Sequence, residues 1–342
     1  MNSNLKRQLA QTSLQITQMG FGAAPLGGFR GTIPEDEVTS IFQLTREGEL
    51  NYYDTSPYYG YGRSEMRVGQ FLRDLPRDSF VLSTKVGRWL EPLDTASPPS
   101  DLRPGGLPFQ PRFDYSASGV TKSLEQSMMR LGMPEIDILY IHDVDVFTHG
   151  SAEAADQRYR EVMEGCYPAL EKLRDAGVVK AIGIGINEAE RALRFTKDTD
   201  IDCILLAGRY TLLEQQPLDE LLPESIAKNI SIVLGGPYNS GVLATGLGEN
   251  AKYDYGSVPD HIAKRVIALQ TVCQRHQVNL IAAALQFPLA HPAVVSVIPG
   301  AMSYKEQSAN MDAMNEPIPA AFWQDLVDQK LLRDDAPVPE GT

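Results

Sequence analysis

The 342-residue chain has few cysteines, and Cys166, Cys203 and Cys273 are scattered with no CxxC spacing. That excludes a disulfide scaffold and a cysteine-based zinc site. Basic residues are outnumbered, 31 against 44 acidic ones, and the net charge is −13. A general electrostatic surface for nucleic acid or an anionic membrane needs the opposite balance, so neither partner is expected. No window approaches about 18 continuous apolar residues, and no transmembrane helix is expected. The opening stretch MNSNLKRQLAQTS has no apolar run of signal-peptide type, so a cytoplasmic chain is expected and the sequon at Asn229 is read as chance. No Ser/Gly-rich linker divides the chain, which is read as one domain over 1–342. Apolar residues make up 43%, enough for a large core and too many for a disordered chain.

What is present is alternation. Short β-rich runs occur at 18–22, 50–54, 80–85, 137–141, 179–185, 203–207, 230–234 and 294–299. Most are apolar without alternation, as suits parallel strands covered on both faces. Helical stretches are read at 35–46, 118–131, 159–176, 188–197, 218–228, 259–276 and 305–314. Val120, Leu124, Met128 and Leu131 are spaced along one helix face, and Gly177 is a stop signal. Eight strand–helix units predict a (β/α)8 TIM barrel. Two long loops stand out: 87–115, carrying Pro92, Pro98, Pro99, Pro104, Pro108 and Pro111, and 235–257. Loops after barrel strands line the active site.

The strand ends carry the chemistry. In order they present Asp54, Lys85 and His142, and Tyr59 follows Asp54 within DTSPYYGYGRSE. Singly, each has a plainer reading: a turn aspartate, a solvated lysine, a satisfied histidine. Together they form a proton relay. A phenol ionises near pH ~10 and is a poor base, but a neighbouring ammonium stabilises the phenolate. An aspartate orients that ammonium, and a histidine orients a carbonyl or hydroxyl oxygen. Two other readings fail. GFGAAP has Pro25 where a dinucleotide fingerprint needs its third glycine, and no tyrosine is followed by lysine four residues on. A metal cluster of His142, Asp143, Asp145 and His149 is set aside, because strand alternation turns Asp143 away from His142.

These motifs, with STKVG around Lys85 and LYIHD around His142, resemble the aldo-keto reductase superfamily. The resemblance covers nearly the whole chain. It implies a TIM barrel binding a nicotinamide cofactor without a Rossmann domain. It gives Asp54, Tyr59, Lys85 and His142 the four catalytic places, with Tyr59 rather than Tyr58 selected by the family spacing. In KAIGIGIN, Asn187 is the residue for the nicotinamide carboxamide. Gly235 stands where many members stack a tyrosine on the nicotinamide, with Tyr238 as the alternative. Ser240, Gly241 and Leu243 fall where the family holds the pyrophosphate. In VIPGAMSYKEQSAN, a helix begins near Ser303, and Asn310 meets the adenine. Gly300 and Glu306 replace the cations that grip a 2′-phosphate, so NAD is preferred, with NADP possible and Lys305 as partial compensation.

Within the superfamily, DTSPYYG, LAGRYTLLEQ, GGPYNSGVLATG and LQFPLAHPAVVSVIPGA resemble bacterial aldose dehydrogenases of the D-threo-aldose, L-fucose and L-galactose type. Pyridoxal 4-dehydrogenase shares these motifs. The implied reaction is oxidation of the hemiacetal carbon of an L-fucose, L-galactose or D-arabinose type sugar to a lactone. The alternative substrate is pyridoxal, itself an internal hemiacetal. Tyr58 and Trp89 are the candidate substrate contacts; Trp89 is read either as a ring platform or as a loop anchor. An alternative of another class is a regulatory subunit that senses pyridine nucleotide. A monomer or homo-oligomer is expected.

Overall fold

The structure is a computed structural model that describes every residue except Thr95, Ser97, Ser100, Asp101, Pro104, Asn250 and Thr342. Pro104, one of the loop prolines noted above, therefore lies outside the described residues.

Eight parallel strands form one sheet: β1 (Phe21–Gly22), β2 (Tyr52–Asp54), β3 (Val81–Val86), β4 (Ile138–His142), β5 (Ala181–Ile186), β6 (Cys203–Ala207), β7 (Ser231–Gly235) and β8 (Val294–Ile298). Each pairs with its neighbour in chain order. A parallel bridge between Met19 and Val297 joins the two edges and closes the barrel. The fold is the (β/α)8 TIM barrel expected from the alternation.

Strand residues alternate between two apolar regions. Tyr52, Ile138, Tyr140, Cys203, Leu205 and Val233 fill the lumen. Leu82, Leu139, Ile141, Ile182 and Ile184 face the helices. The lumen is closed at one end by an antiparallel hairpin, Lys6–Gln8 with Gln15–Thr17, whose Leu9, Leu14 and Ile16 join its core. On the Ala117–Leu131 helix, Val120, Leu124 and Leu131 are buried and Met128 packs half-exposed beside them, as the spacing predicted.

Several elements differ from the sequence reading. The helix read at 159–176 begins at Ala152 and contains a π-helical turn, Val162–Cys166, before Tyr167–Asp175. Gly177 follows its end at φ +73, as a C-terminal stop requires. Helices Arg63–Leu72, Leu280–Gln286 and Ala320–Asp328 were not read. Within the 87–115 loop lies a hairpin, Arg88–Pro92 with Phe109–Phe113. Its prolines argued against strands, since proline lacks an N–H for the ladder. Pro111 sits opposite Leu90. The outward N–H and C=O of Leu90 bond to the Gln126 side chain instead, so the missing donor costs nothing.

Candidate active site

The first site residue is placed by a strand end. Asp54 ends β2 and is buried. Its Oδ1 accepts from Ser83 Oγ at 2.7 Å and its Oδ2 from Lys85 Nζ at 2.7 Å. Lys85 also donates to the Thr55 carbonyl at 2.8 Å. Lys85 passes beside Gly185 of β5, its Cε 3.4 Å from where a Cβ would stand.

Tyr59 is placed by the turn that follows. Its N–H bonds to the Ser56 carbonyl and its own carbonyl accepts from Ser64 N. Ser64 Oγ lies 2.9 Å from Thr55 Oγ1 and donates to the Ala23 carbonyl. Gly60 then bends the chain at φ +66, and a Cβ there would meet the Gly27 carbonyl oxygen at 2.1 Å. Only glycine fits that approach. Behind the turn, buried Glu65 accepts from Thr84 Oγ1 and Arg130 Nε, tying the Arg63–Leu72 helix to β3 and to the next helix.

The four expected residues meet at the C-terminal mouth of the barrel. Lys85 Nζ lies 4.7 Å from the centre of the Tyr59 ring, and the Tyr59 and His142 rings are 6.0 Å apart and perpendicular at 89°. Tyr58 joins them, 6.3 Å from the His142 ring. Trp89 does not. Its indole donates to Asp114 at 3.2 Å and Lys122 caps its ring, so it anchors the hairpin.

The neighbour of Trp89, on the other face of the strand, does enter. Arg88 is buried, and its Nη1 lies 2.9 Å from His142 Nδ1 and 2.8 Å from Asp143 Oδ2. Its guanidinium carbon lies over the Tyr58 and Phe113 rings, 4.5 and 4.3 Å from their centres. Sequence reading missed Arg88; the signal was its place beside STKVG, one alternation from Trp89. The reading of Asp143 is also corrected. Asp143 lies beyond β4 at φ +54, so strand alternation does not govern it, and its Oδ2 is 3.4 Å from His142 Nε2. Asp145 caps the next helix and binds Asn187, while His149 Nε2 bonds the Asp143 carbonyl. Among the described residues, no group of three or more His, Cys, Asp or Glu is arranged to hold a metal ion.

The electrostatics correct a second expectation. Burial pushes the Tyr59 phenol well above its ordinary value, Asp54, Asp143 and Tyr255 add to this, and Arg88 opposes it. The Lys85 ammonium, 4.7 Å from the ring centre, is bonded to Asp54. His142 is pushed well below its ordinary value by burial, then by Arg88 and Lys85. Its imidazole is neutral at pH 7. Burial also raises Asp54, with Lys85 and Ser83 opposing.

The residues expected at a cofactor lie along the same face. Asn187 follows β5, and its side-chain and main-chain nitrogens both donate to Asp145 Oδ2. Its side chain also reaches Asp143, 3.4 Å away, which links it to the four. Gly235 ends β7. Ser240 stands at φ +62 and accepts from Tyr255 N; Gly241 stands at φ +110 in open space. Leu243 is buried, and its N–H is bonded to the Tyr238 carbonyl. Gly300 is a packing position, since a Cβ would lie 2.6 Å from Pro25. Ser303 caps the Tyr304–Asn315 helix and accepts from Glu306 N, and Glu306 Oε2 accepts from Met302 N. Tyr238, the alternative to Gly235, donates its hydroxyl to Asn310 Oδ1 at 2.6 Å.

Beside Asn310 sits Gln307, which the sequence reading missed. Both are buried, and Gln307 Nε2, Gln307 Oε1 and Asn310 Nδ2 have no partner. Buried polar atoms are nearly always paired. Three orphans on one helix face fit a polar ring system such as adenine, which carries both donors and acceptors.

Comparison with known proteins agrees. The Aldo/keto reductase family profile matches residues 18–330. The chain is 38% identical to pyridoxal 4-dehydrogenase of Microbacterium luteolum, over 96% of this chain and 98% of that one. It is 36% identical to D-threo-aldose 1-dehydrogenase of a Pseudomonas species, over 96% and 99%. The holo form of an aldo-keto reductase from Bacillus halodurans superposes with a TM-score of 0.74 at 25% identity, covering 98% of each chain. No described helix is long and apolar enough to cross a membrane. The chain therefore belongs to the aldo/keto reductase family, as an oxidoreductase that acts on CH–OH groups with a nicotinamide cofactor.

Proposed function

We propose that the enzyme oxidises the hemiacetal carbon of an aldose to a lactone, with Tyr59 as the acid–base group. The observation that carries this is the convergence of Tyr59, Lys85, Asp54 and His142 at one mouth. Tyr59 acts once its own proton has left to solvent: as the phenolate it takes the proton of the anomeric hydroxyl, and His142 orients that anomeric oxygen. Asp54 holds Lys85 under the Tyr59 ring. The nicotinamide, when bound, supplies the hydride acceptor and, in its oxidised form, a positive charge. Asn187 would hold its carboxamide, and Gly235, Ser240, Gly241 and Leu243 would line its path. Gln307 and Asn310 would hold the adenine.

NAD is the preferred cofactor in this reading. Glu306 stands at the first turn of the Tyr304–Asn315 helix, where a 2′-phosphate would meet a carboxylate. Lys305 beside it is an opposing charge.

A second reading, pyridoxal oxidation to its lactone, is favoured by the 38% identity to a pyridoxal 4-dehydrogenase. Both substrates are cyclic hemiacetals, so one geometry serves either. The test is initial-rate NADH formation from NAD with L-fucose, L-galactose, D-arabinose and pyridoxal, repeated with NADP. Turnover of a sugar is expected. Turnover of pyridoxal alone selects the second reading. Silence on all four with NAD bound points to the nucleotide-sensing alternative.

A further inference from the structure

We infer that Arg88 is a positioning residue that holds His142 as the Nε2–H tautomer, so that the imidazole offers a donor, and never a lone pair, to the oxygen reacting at Tyr59. The inference rests on the acid–base reading of Tyr59 and His142.

A guanidinium has five N–H donors and no acceptor. Arg88 Nη1 lies 2.9 Å from His142 Nδ1, so Nδ1 must accept. A second group points the same way. Ser56 Oγ lies 3.2 Å from Nδ1 and accepts the Tyr58 N–H at 3.1 Å, which frees its hydroxyl proton for the ring. Two donors thus meet one ring nitrogen. A neutral imidazole has a single N–H, and it is left on Nε2.

Arg88 is held by several contacts. Its guanidinium lies over the Tyr58 and Phe113 rings, Asp143 Oδ2 accepts from it at 2.8 Å, and Ser123 Oγ donates to the Arg88 carbonyl. The charged and titratable groups facing the ring are Arg88, Lys85, Asp143, Tyr58 and Tyr59. Tyr115 touches the main-chain carbonyl and not the ring. Asp143, whose Oδ2 lies 3.4 Å from Nε2, is itself bonded to Arg88.

The tautomer decides the chemistry. A hydroxyl that loses its proton to Tyr59 accepts from Nε2–H, and the bond strengthens as negative charge builds on the oxygen. The other tautomer would present a lone pair at Nε2, which would compete with Tyr59 for the proton.

The test is long-range ¹⁵N–¹H NMR on the full chain labelled in its 5 histidines, with His142→Gln for assignment. The wild type is expected to show His142 as Nε2–H and still unprotonated below the ordinary value near 6.5. In Arg88→Met, His142 is expected to become a mixture of tautomers and to titrate at a higher pH than in the wild type. Its kcat/KM should fall roughly 10- to 100-fold, with an acid limb shifted upward. Arg88→Lys, which keeps a charged donor, should restore part of each effect and serves if Arg88→Met does not fold. An Nδ1–H form in the wild type, or unchanged His142 signals in both variants, overturns the inference. Nε2–H in the wild type with no turnover of any sugar or pyridoxal would instead overturn the acid–base reading and leave the tautomer lock standing.

Discussion

Lys85 Nζ lies 2.7 Å from Asp54 Oδ2, with side chains only 1% and 3% exposed, so the two charges form one buried unit beneath Tyr59. The unit delivers an oriented dipole to the phenol and not a free cation. Burial keeps the proton on the Tyr59 phenol, and the Asp54 carboxylate adds to it. The ion pair shapes the site, and the charge that loosens the proton must come with the ligands.

Breaking the unit should be costly on either side. Asp54→Asn or Lys85→Met leaves a buried charge alone, and such losses are about 3–5 kcal/mol. The double variant should recover much of the stability while remaining inactive. Chemical denaturation of the three proteins checks this. Additive losses would show that the two residues do not act as a pair.

Tyr59→Phe should lower kcat by roughly 10²- to 10⁴-fold, the usual contribution of a positioned proton carrier. Nucleotide affinity, read by fluorescence titration, should change little, because no expected cofactor residue bonds Tyr59. Loss of nucleotide binding in this variant would count against the assigned role.

Stability should carry the signature of His142. Its folded value is depressed by burial, Arg88 and Lys85. Above pH ~6.5 both folded and unfolded states hold it neutral, and its contribution is complete. As pH falls below that, the unfolded chain takes up a proton that the folded one refuses, and stability drops. Asp54 and Asp143 are raised by burial and work in the opposite direction at acid pH. The loss in Tm between pH 7.5 and 5, taken from scans at both values, should therefore be smaller in His142→Gln than in the wild type. Equal losses would contradict a buried neutral histidine.

Glu306→Gln removes one charge and keeps an oxygen for the Met302 N–H, so the helix cap survives. The ratio of NADP to NAD affinity should rise roughly fivefold, as expected for one exposed charge near a phosphate. An unchanged ratio would place the discrimination elsewhere.

Asp54, Lys85 and His142 were legible because each ends a short apolar run, and a barrel brings all strand ends to one mouth. Tyr59 followed from its fixed distance along the chain. The Ser303 cap was legible for the same reason, since capping acts over three residues. These are local relationships, and local spacing carries them.

Arg88, Asp143 and Gln307 were decided by the tertiary structure alone. Arg88 meets a histidine 54 residues away, and it does so from a hairpin whose prolines concealed it as strand. One step along that strand, Trp89 turns outward, so alternation in an unrecognised element exchanged the two residues' roles. Asp143 turns toward the site because the chain leaves β4 through a left-handed residue, which no strand pattern anticipates. The Tyr59 pKa is set first by burial and then by Asp54, Asp143 and Tyr255, groups that only packing brings to the ring. Sequence determines which groups stand at the strand ends; packing determines which of them neutralise one another, because burial and charge pairing depend on neighbours distant in the chain.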